Sequence, residues 1–242
     1  MLRLGAITLS LLFYLPLHYG WKLAGARSPW PRRFLAFAGR RCGLRVRVRG
    51  VPIAGGVLFA ANHETWLDIL ALGGVTGTSF VAKDEIRRWP LVGWLAGLNA
   101  TLYVVRTARQ EVRGQADQIR DALGVGGRVA LFPEGTVDGS RDVLPFRASL
   151  FASLYPPIPA VRVQPVAIDY GGATADIAWL DDESTGGNVR RILARPGTIV
   201  VTLDFLAPID PAKAGDRKAL AAASRAEIVA ALDASAPLAH PL

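Results

Sequence analysis

The sequence predicts an α/β fold: a mainly parallel sheet sandwiched by helices, preceded by an N-terminal apolar membrane-associating helix. Three observations predict it. Short apolar runs alternate with helical stretches along the chain. Two of those runs are followed directly by clusters of polar residues, as at the strand ends of a parallel sheet, where functional loops lie. A segment without formal charge opens the chain. The 242 residues, 51% hydrophobic and 20% charged, exclude a disordered chain and suffice for a sizeable core. No repeat of fixed period and no inter-domain linker is visible. The expected division is an N-terminal membrane-associating segment, 1–43, and an α/β domain, 44–236.

Residues 4–21 form an eighteen-residue run without charge, just short of the roughly 20 that a membrane span needs. Pro16 and Gly20 are expected to interrupt a helix near its end. Tyr14, Tyr19 and Trp21 suit the headgroup level. Arg3 and the Ala24-Gly25-Ala26 triplet are also compatible with a secretory signal. Lys22 and the arginines after it argue against cleavage and for a body retained on the cytoplasmic side. The expected location is the cytoplasmic face of the inner membrane, through a single anchor or an interfacial helix. A buried core helix is the third reading.

Leu44–Gly50 alternates apolar and basic residues, with Val46 and Val48 on one face and Arg45, Arg47 and Arg49 on the other. Such a strand fits a sheet edge, where charge discourages aggregation, and equally a membrane-facing position. Further strands are expected at 56–61, 79–82, 101–105, 128–132, 161–168 and 198–205. Helices are expected at 66–72, at 87–97 with Pro90 in the first turn, at 108–123 ending on Gly124 as a C-cap, and at 216–232. Residues 171–187 read as a surface loop and 234–242 as a frayed end.

The net charge of +8 is unevenly spread. Residues 1–50 hold ten basic groups and no acid, leaving 18 basic against 20 acidic groups in the rest. Basic residues beside apolar ones suit an anionic bilayer, where each is worth about 1 kcal/mol near the headgroups. Nucleic acid is the second reading, and a solvated arginine-rich surface the third, since only four of the 28 basic residues are Lys. No aromatic residues are interleaved on a recognisable nucleic-acid module, so nucleic acid is not expected as a partner. Cys42 is alone and the three histidines are scattered. Neither an intrachain disulfide nor a metal site is expected.

Two stretches carry chemistry. In Asn62-His63-Glu64-Thr65-Trp66-Leu67-Asp68, His63 is a candidate general base. On a regular helix the five-residue step to Asp68 is about 140° of rotation. The pair therefore works only with His63 in the turn and Asp68 on the first helical turn, its carboxylate reaching back to fix the imidazole. The competing reading makes Asn62 a helix cap and the pair incidental. In Phe132-Pro133-Glu134-Gly135-Thr136, Gly135 permits close backbone approach or a positive φ. Thr136 can donate to an anion, and Glu134 can accept from a substrate hydroxyl or brace a cation. A plain strand–turn–helix corner is the alternative.

N-H-x-x-x-x-D followed by F-P-E-G-T resembles the glycerolipid acyltransferase family, which includes the 1-acyl-sn-glycerol-3-phosphate acyltransferases. The resemblance extends to Lys83-Asp84-Glu85-Ile86 with Trp89-Pro90-Leu91-Val92-Gly93-Trp94, to Val104-Val105-Arg106, to Leu144-Pro145-Phe146-Arg147 and to Val163–Ile168. It implies that His63 deprotonates a lysophospholipid hydroxyl, which attacks the thioester of acyl-CoA or acyl-carrier protein, while Asp68 orients His63. It implies substrate-binding roles for Lys83, Arg106, Glu134, Gly135, Thr136 and Arg147, each basic residue having an ordinary surface charge as its alternative. No cofactor is implied beyond the acyl donor, and no nucleophile elbow is present. The implied acceptor is 1-acyl-glycerol-3-phosphate. One departure matters: Val137 stands where the family often has an arginine on the acceptor phosphate, with Arg141 the nearby substitute. Lyso-ornithine lipid is therefore the runner-up acceptor, and a non-enzymatic membrane-surface binding protein the alternative of another class.

Overall fold

A computed structural model describes residues 2–89, 91–104, 109–136, 142–180 and 183–235, the side chains of 104 and 109–115 excepted. The chain begins with helix α1 (Leu2–Leu23) and α2 (Trp30–Arg41), then β1 (Leu44–Gly50) and β2 (Val57–Ala61). Next come α3 (Leu67–Thr76), β3 (Ser79–Lys83), a 3-10 turn (Asp84–Arg88), α4 (Val92–Leu98) and β4 (Leu102–Val104). The second half holds α5 (Arg109–Gly124), β5 (Arg128–Leu131), β6 (Arg162–Asp169), α6 (Thr174–Ile177), α7 (Thr185–Ala194), β7 (Ile199–Phe205) and α8 (Arg217–Ser235).

The seven described strands form one sheet in the order β1-β7-β6-β2-β5-β3-β4. β6, β2, β5, β3 and β4 run parallel, and β7 pairs antiparallel with β6 while carrying β1 parallel to itself. The sheet is thus mainly parallel, with helices on both faces, as the strand–helix alternation predicts.

β2 lies at its centre because all five of its side chains are buried. Val57, Phe59 and Ala61 join the core that includes Leu67, Ala71 and Leu72 of α3. Leu58 and Ala60 join the opposite core with Ile119 and Leu123 of α5 and Leu220 of α8. A strand buried on both faces must be apolar throughout. Phe59 and Leu58, both fully buried, each contribute on the order of 2 kcal/mol. α2 lies close on α3 because Gly74 has no side chain; a Cβ there would sit 2.9 Å from the Ala36 backbone.

Several expectations change. α1 continues through Pro16 to Leu23; proline removes one hydrogen bond of the ladder, and the bonds on either side carry the helix past it. Among the described residues it is the one helix long and apolar enough to cross a membrane, and Leu9, Leu12 and Phe13 are exposed. β1 is an edge strand with its three arginines exposed, but Val48 is exposed as well, unlike Val46. Gly124 lies inside α5, and Gly126 takes the left-handed turn at φ 77°. The described part of 171–187 is not one loop: it holds a 3-10 turn (Gly171–Ala173), α6 and the start of α7. Ser184 caps α7 by accepting from the Gly187 N–H at 3.1 Å, a signal hidden by the low helix propensity of Gly186 and Gly187. Pro90 lies outside the described residues.

Asn62 does not cap α3. It extends the β2–β6 ladder with its side chain, donating from Nδ2 to the Ile168 carbonyl at 2.9 Å and accepting the Ile168 N–H at Oδ1 at 2.8 Å. The backbone is thereby released to turn while the sheet stays closed. Asn62→Ala leaves a buried N–H and C=O of Ile168 unpaired and is expected to lower the unfolding free energy by about 2–3 kcal/mol. Urea denaturation measures this, and a change within error would remove Asn62 as the clasp.

Candidate active site

β2, β5 and β3 run parallel, so their C-terminal ends and the turns after them share one edge of the sheet. His63 sits in the turn after β2. Asp68 is the second residue of α3 and fully buried. Its Oδ2 lies 2.8 Å from His63 Nδ1 and accepts the backbone N–H of Glu64 at 2.8 Å and of Thr65 at 3.0 Å. Its Oδ1 accepts the Tyr170 hydroxyl at 2.7 Å. The carboxylate therefore reaches back over the turn, which brings together two residues that an unbroken helix would hold apart. With Nδ1 donating to Asp68, Nε2 keeps the lone pair of the neutral ring.

Two further contacts fix His63. Its ring stacks on Phe132 with centroids 4.0 Å apart and planes at 14°, and Phe132 stacks in turn on Phe80 at 6.1 Å. Its backbone N–H donates to Glu134 Oε1 at 2.7 Å, while Glu134 Oε2 accepts the Leu144 N–H at 2.8 Å. Glu134 is buried and ties the turn after β2 to the segment that returns after β5. The sequence offers this carboxylate to a substrate hydroxyl or a neighbouring cation. The structure engages each of its oxygens with a backbone N–H, because a buried carboxylate needs donors and the two loops each supply one.

A cleft of about 400 Å³ opens beside His63. Among its lining residues are Phe80, Lys83, Glu85, Trp89, Gly135 and Thr136. Gly135 takes φ 76°, which lets the chain turn directly beneath the cleft wall. Lys83, Gly135 and Thr136 are therefore brought to His63. Arg147 is not: it is exposed, absent from the lining, and tied through its backbone N–H to the Pro133 carbonyl at 2.9 Å. Arg106, and with it Val137 and Arg141, lie outside the described residues. No three His, Cys, Asp or Glu side chains converge as a metal site requires among the described residues.

Tyr170, Trp179 and Glu64 are not singled out by the sequence. Tyr170 follows β6, the neighbour of β2, and reaches Asp68 only because the sheet sets those two strands side by side. Trp179 lines the cleft from the stretch read as a loop. Trp66 is held from the same region, its Nε1 donating to Asn188 Oδ1 at 2.9 Å. Glu64 adjoins His63 in sequence, but its burial was not legible there.

Burial, reinforced by the charge of Asp68, pushes the Glu64 carboxyl up to about 8. The folded protein thus keeps a proton that the unfolded chain releases above the ordinary value of 4.5. This group's contribution to stability is complete below the ordinary value and is lost as pH rises through about 8. Glu64→Gln removes that loss. Relative to the variant, the wild-type unfolding midpoint is expected to fall between about pH 5 and pH 8. Parallel midpoint–pH curves for the two proteins would contradict this.

Residues 45–169, which include His63, Asp68, Lys83 and Glu134, match the family model described as Acyltransferase. A lyso-ornithine lipid O-acyltransferase of Rhodobacter capsulatus is 34% identical over 94% of this chain and 87% of its own length. A 1-acyl-sn-glycerol-3-phosphate acyltransferase of Neisseria gonorrhoeae is 33% identical over 76% of this chain and 72% of its own. The crystal structure of the 1-acyl-sn-glycerophosphate acyltransferase PlsC of Thermotoga maritima shares the fold, with TM-score 0.64 and 22% identity over 84% of this chain and 77% of that one. The matched stretch builds the whole edge of the sheet at which His63 and Asp68 meet, and on that footing the chain belongs to the acyltransferase family.

Proposed function

We propose that this protein is a membrane-associated O-acyltransferase that moves a fatty acyl group from acyl-CoA or acyl-carrier protein to the free hydroxyl of lyso-ornithine lipid. The reaction follows from the His63–Asp68 pair beside the cleft. Nε2 takes the proton of the acceptor hydroxyl, and the oxygen attacks the thioester carbonyl. The carbon–sulfur bond breaks, and the departing thiolate takes the proton back from the imidazolium. Asp68 holds the ring and stabilises the imidazolium that forms. No protein nucleophile takes part, which fits the burial of Cys42.

The observation that carries the acceptor is the mixed charge of the cleft. Its described lining holds one cation, Lys83, and one carboxylate, Glu85. That pairing suits a headgroup with both a carboxylate and an ammonium, as ornithine has. A dianionic phosphate favours a fork of arginines instead. Val137, where the family often has an arginine, and the relative that spans nearly the whole chain support the same reading. A second reading, 1-acyl-glycerol-3-phosphate, draws on the Neisseria relative and on Lys83 acting alone on phosphate. α1, exposed and apolar, supports attachment to the bilayer in which either acceptor resides. We assign the body to the cytoplasmic face, where both acyl donors are found, and the arginines of residues 1–50 to its anionic lipids.

Purified protein supplied with a labelled acyl thioester and each lysolipid in turn tests this. Lyso-ornithine lipid is expected to be acylated and the phosphate acceptor not, or at least about tenfold more slowly. The reverse preference would establish the second reading. His63→Ala is expected to remove transfer with the fold intact; an active, folded variant would sink the mechanism. Tyr170→Phe leaves Asp68 with three donors and is expected to lower kcat about tenfold with KM little changed. An unchanged kcat would reduce Tyr170 to a packing residue.

A further inference from the structure

The segment between the cleft and α1 presents large apolar side chains to solvent. Trp89 is 45% exposed, Leu91 60%, Val92 45% and Trp94 43%. Such residues ordinarily retract under neighbours, and here the backbone prevents it. Leu91 sits at φ 62° and ψ −53°, a region that residues with a side chain rarely occupy. Gly93 is packed so that a Cβ would collide with the Arg87 carbonyl oxygen. The Gly93 carbonyl accepts the Tyr103 hydroxyl at 3.1 Å, and the Arg87 guanidinium lies over the Tyr103 ring at 4.5 Å. The turn is pinned from behind, with its apolar side chains outward.

One side of α4 packs toward α1. Leu95 and Leu98 share a small apolar cavity with Leu11, Tyr14 and Leu15 of α1 and with Phe34 of α2. Trp94 precedes Leu98 by one turn and so lies on that same side of α4, the side that adjoins a helix long and apolar enough to enter a bilayer. At its other end the segment reaches the cleft, which Ile86 and Trp89 line. The flanking charges are the exposed Arg87 and Arg88, with Asp84 and Glu85 on the same turn and Asp84 within 3.9 Å of Arg87. Tryptophan and leucine beside arginine is the composition of a surface seated among lipid headgroups.

We propose that Leu91, Val92 and Trp94 form a second bilayer-docking contact, continuous with α1, which turns the mouth of the His63 cleft toward the membrane surface. This rests on the proposed lipid acceptor. α1 alone tethers the protein but leaves it free to rotate about one axis. A second contact at the rim of the cleft fixes that rotation and gives a membrane-borne lysolipid a path that does not cross water.

A fluorophore reporting local polarity tests the contact in the full chain, independently of turnover. Trp94→Cys supplies the attachment point, and Val125→Cys, exposed in the turn before β5, is the control. Cys42 is buried and its thiol is pushed up to about 11 by that burial, so it does not compete for the reagent. With vesicles of equimolar phosphatidylglycerol and phosphatidylcholine, the label at position 94 is expected to shift to the blue and to be quenched by brominated acyl chains, with no change at position 125. An unshifted label at 94, equal shifts at both sites, or a shift that tracks protein concentration without lipid would overturn the proposal, the last pointing to a second copy of this chain. Leu91→Asn with Val92→Ser suits the positive φ and removes apolar surface. It is expected to slow acylation of vesicle-borne lysolipid about tenfold and leave a dispersed short-chain lysolipid unaffected. Equal losses on both would assign the segment to the cleft and overturn docking. A shifted label in a protein that acylates no lysolipid would refute the acceptor and leave the docking contact standing.

Discussion

The four hydrogen bonds accepted by Asp68 are the constraint on which the rest of the site depends. A carboxylate with no exposure is tolerable only when donors surround it. Here the donors are the imidazole of His63, two successive backbone N–H groups of the turn, and the hydroxyl of Tyr170. Satisfying that one charge fixes the turn after β2, the start of α3 and the end of β6 relative to one another. The imidazole is oriented as a consequence, with Nε2 left for chemistry.

The sheet order supplies those partners. β2 is flanked by β6 on one side and β5 on the other. From the β6 side come Tyr170 to Asp68 and the Ile168 backbone to Asn62. From the β5 side come Phe132, stacked on His63, and Glu134, bonded to its N–H. β3, one strand further, brings Phe80 and Lys83 to the cleft. A parallel arrangement does this because every strand ends on the same edge, so residues far apart in sequence emerge side by side.

The chemical pair was legible because its logic is local. Five residues separate His63 from Asp68, and only a turn followed by a helical start brings them together. The strands were legible from their apolar runs, β2 most clearly because it is buried on both faces. The part around 171–187 was not: two adjacent glycines conceal the Ser184 cap, and the helix there is held by packing and by Asn188 on Trp66. The backbone partners of Glu134 were not legible for a related reason. A glutamate beside a glycine turn looks available to a ligand, and whether it is depends on backbone donors that another loop brings to it.

The sequence by itself determined the α/β layering, the apolar N-terminal helix, the basic front and the pairing of His63 with Asp68. All of these depend on periodicity, composition or short spacing, which a linear chain carries in full. Only the tertiary structure decided that Tyr170 completes the Asp68 shell, that Glu134 braces backbone, that Arg147 is absent from the cleft lining, and that Trp94 is exposed. Each of those rests on which strands are neighbours and which side chains find burial, and both are set by packing across the sheet.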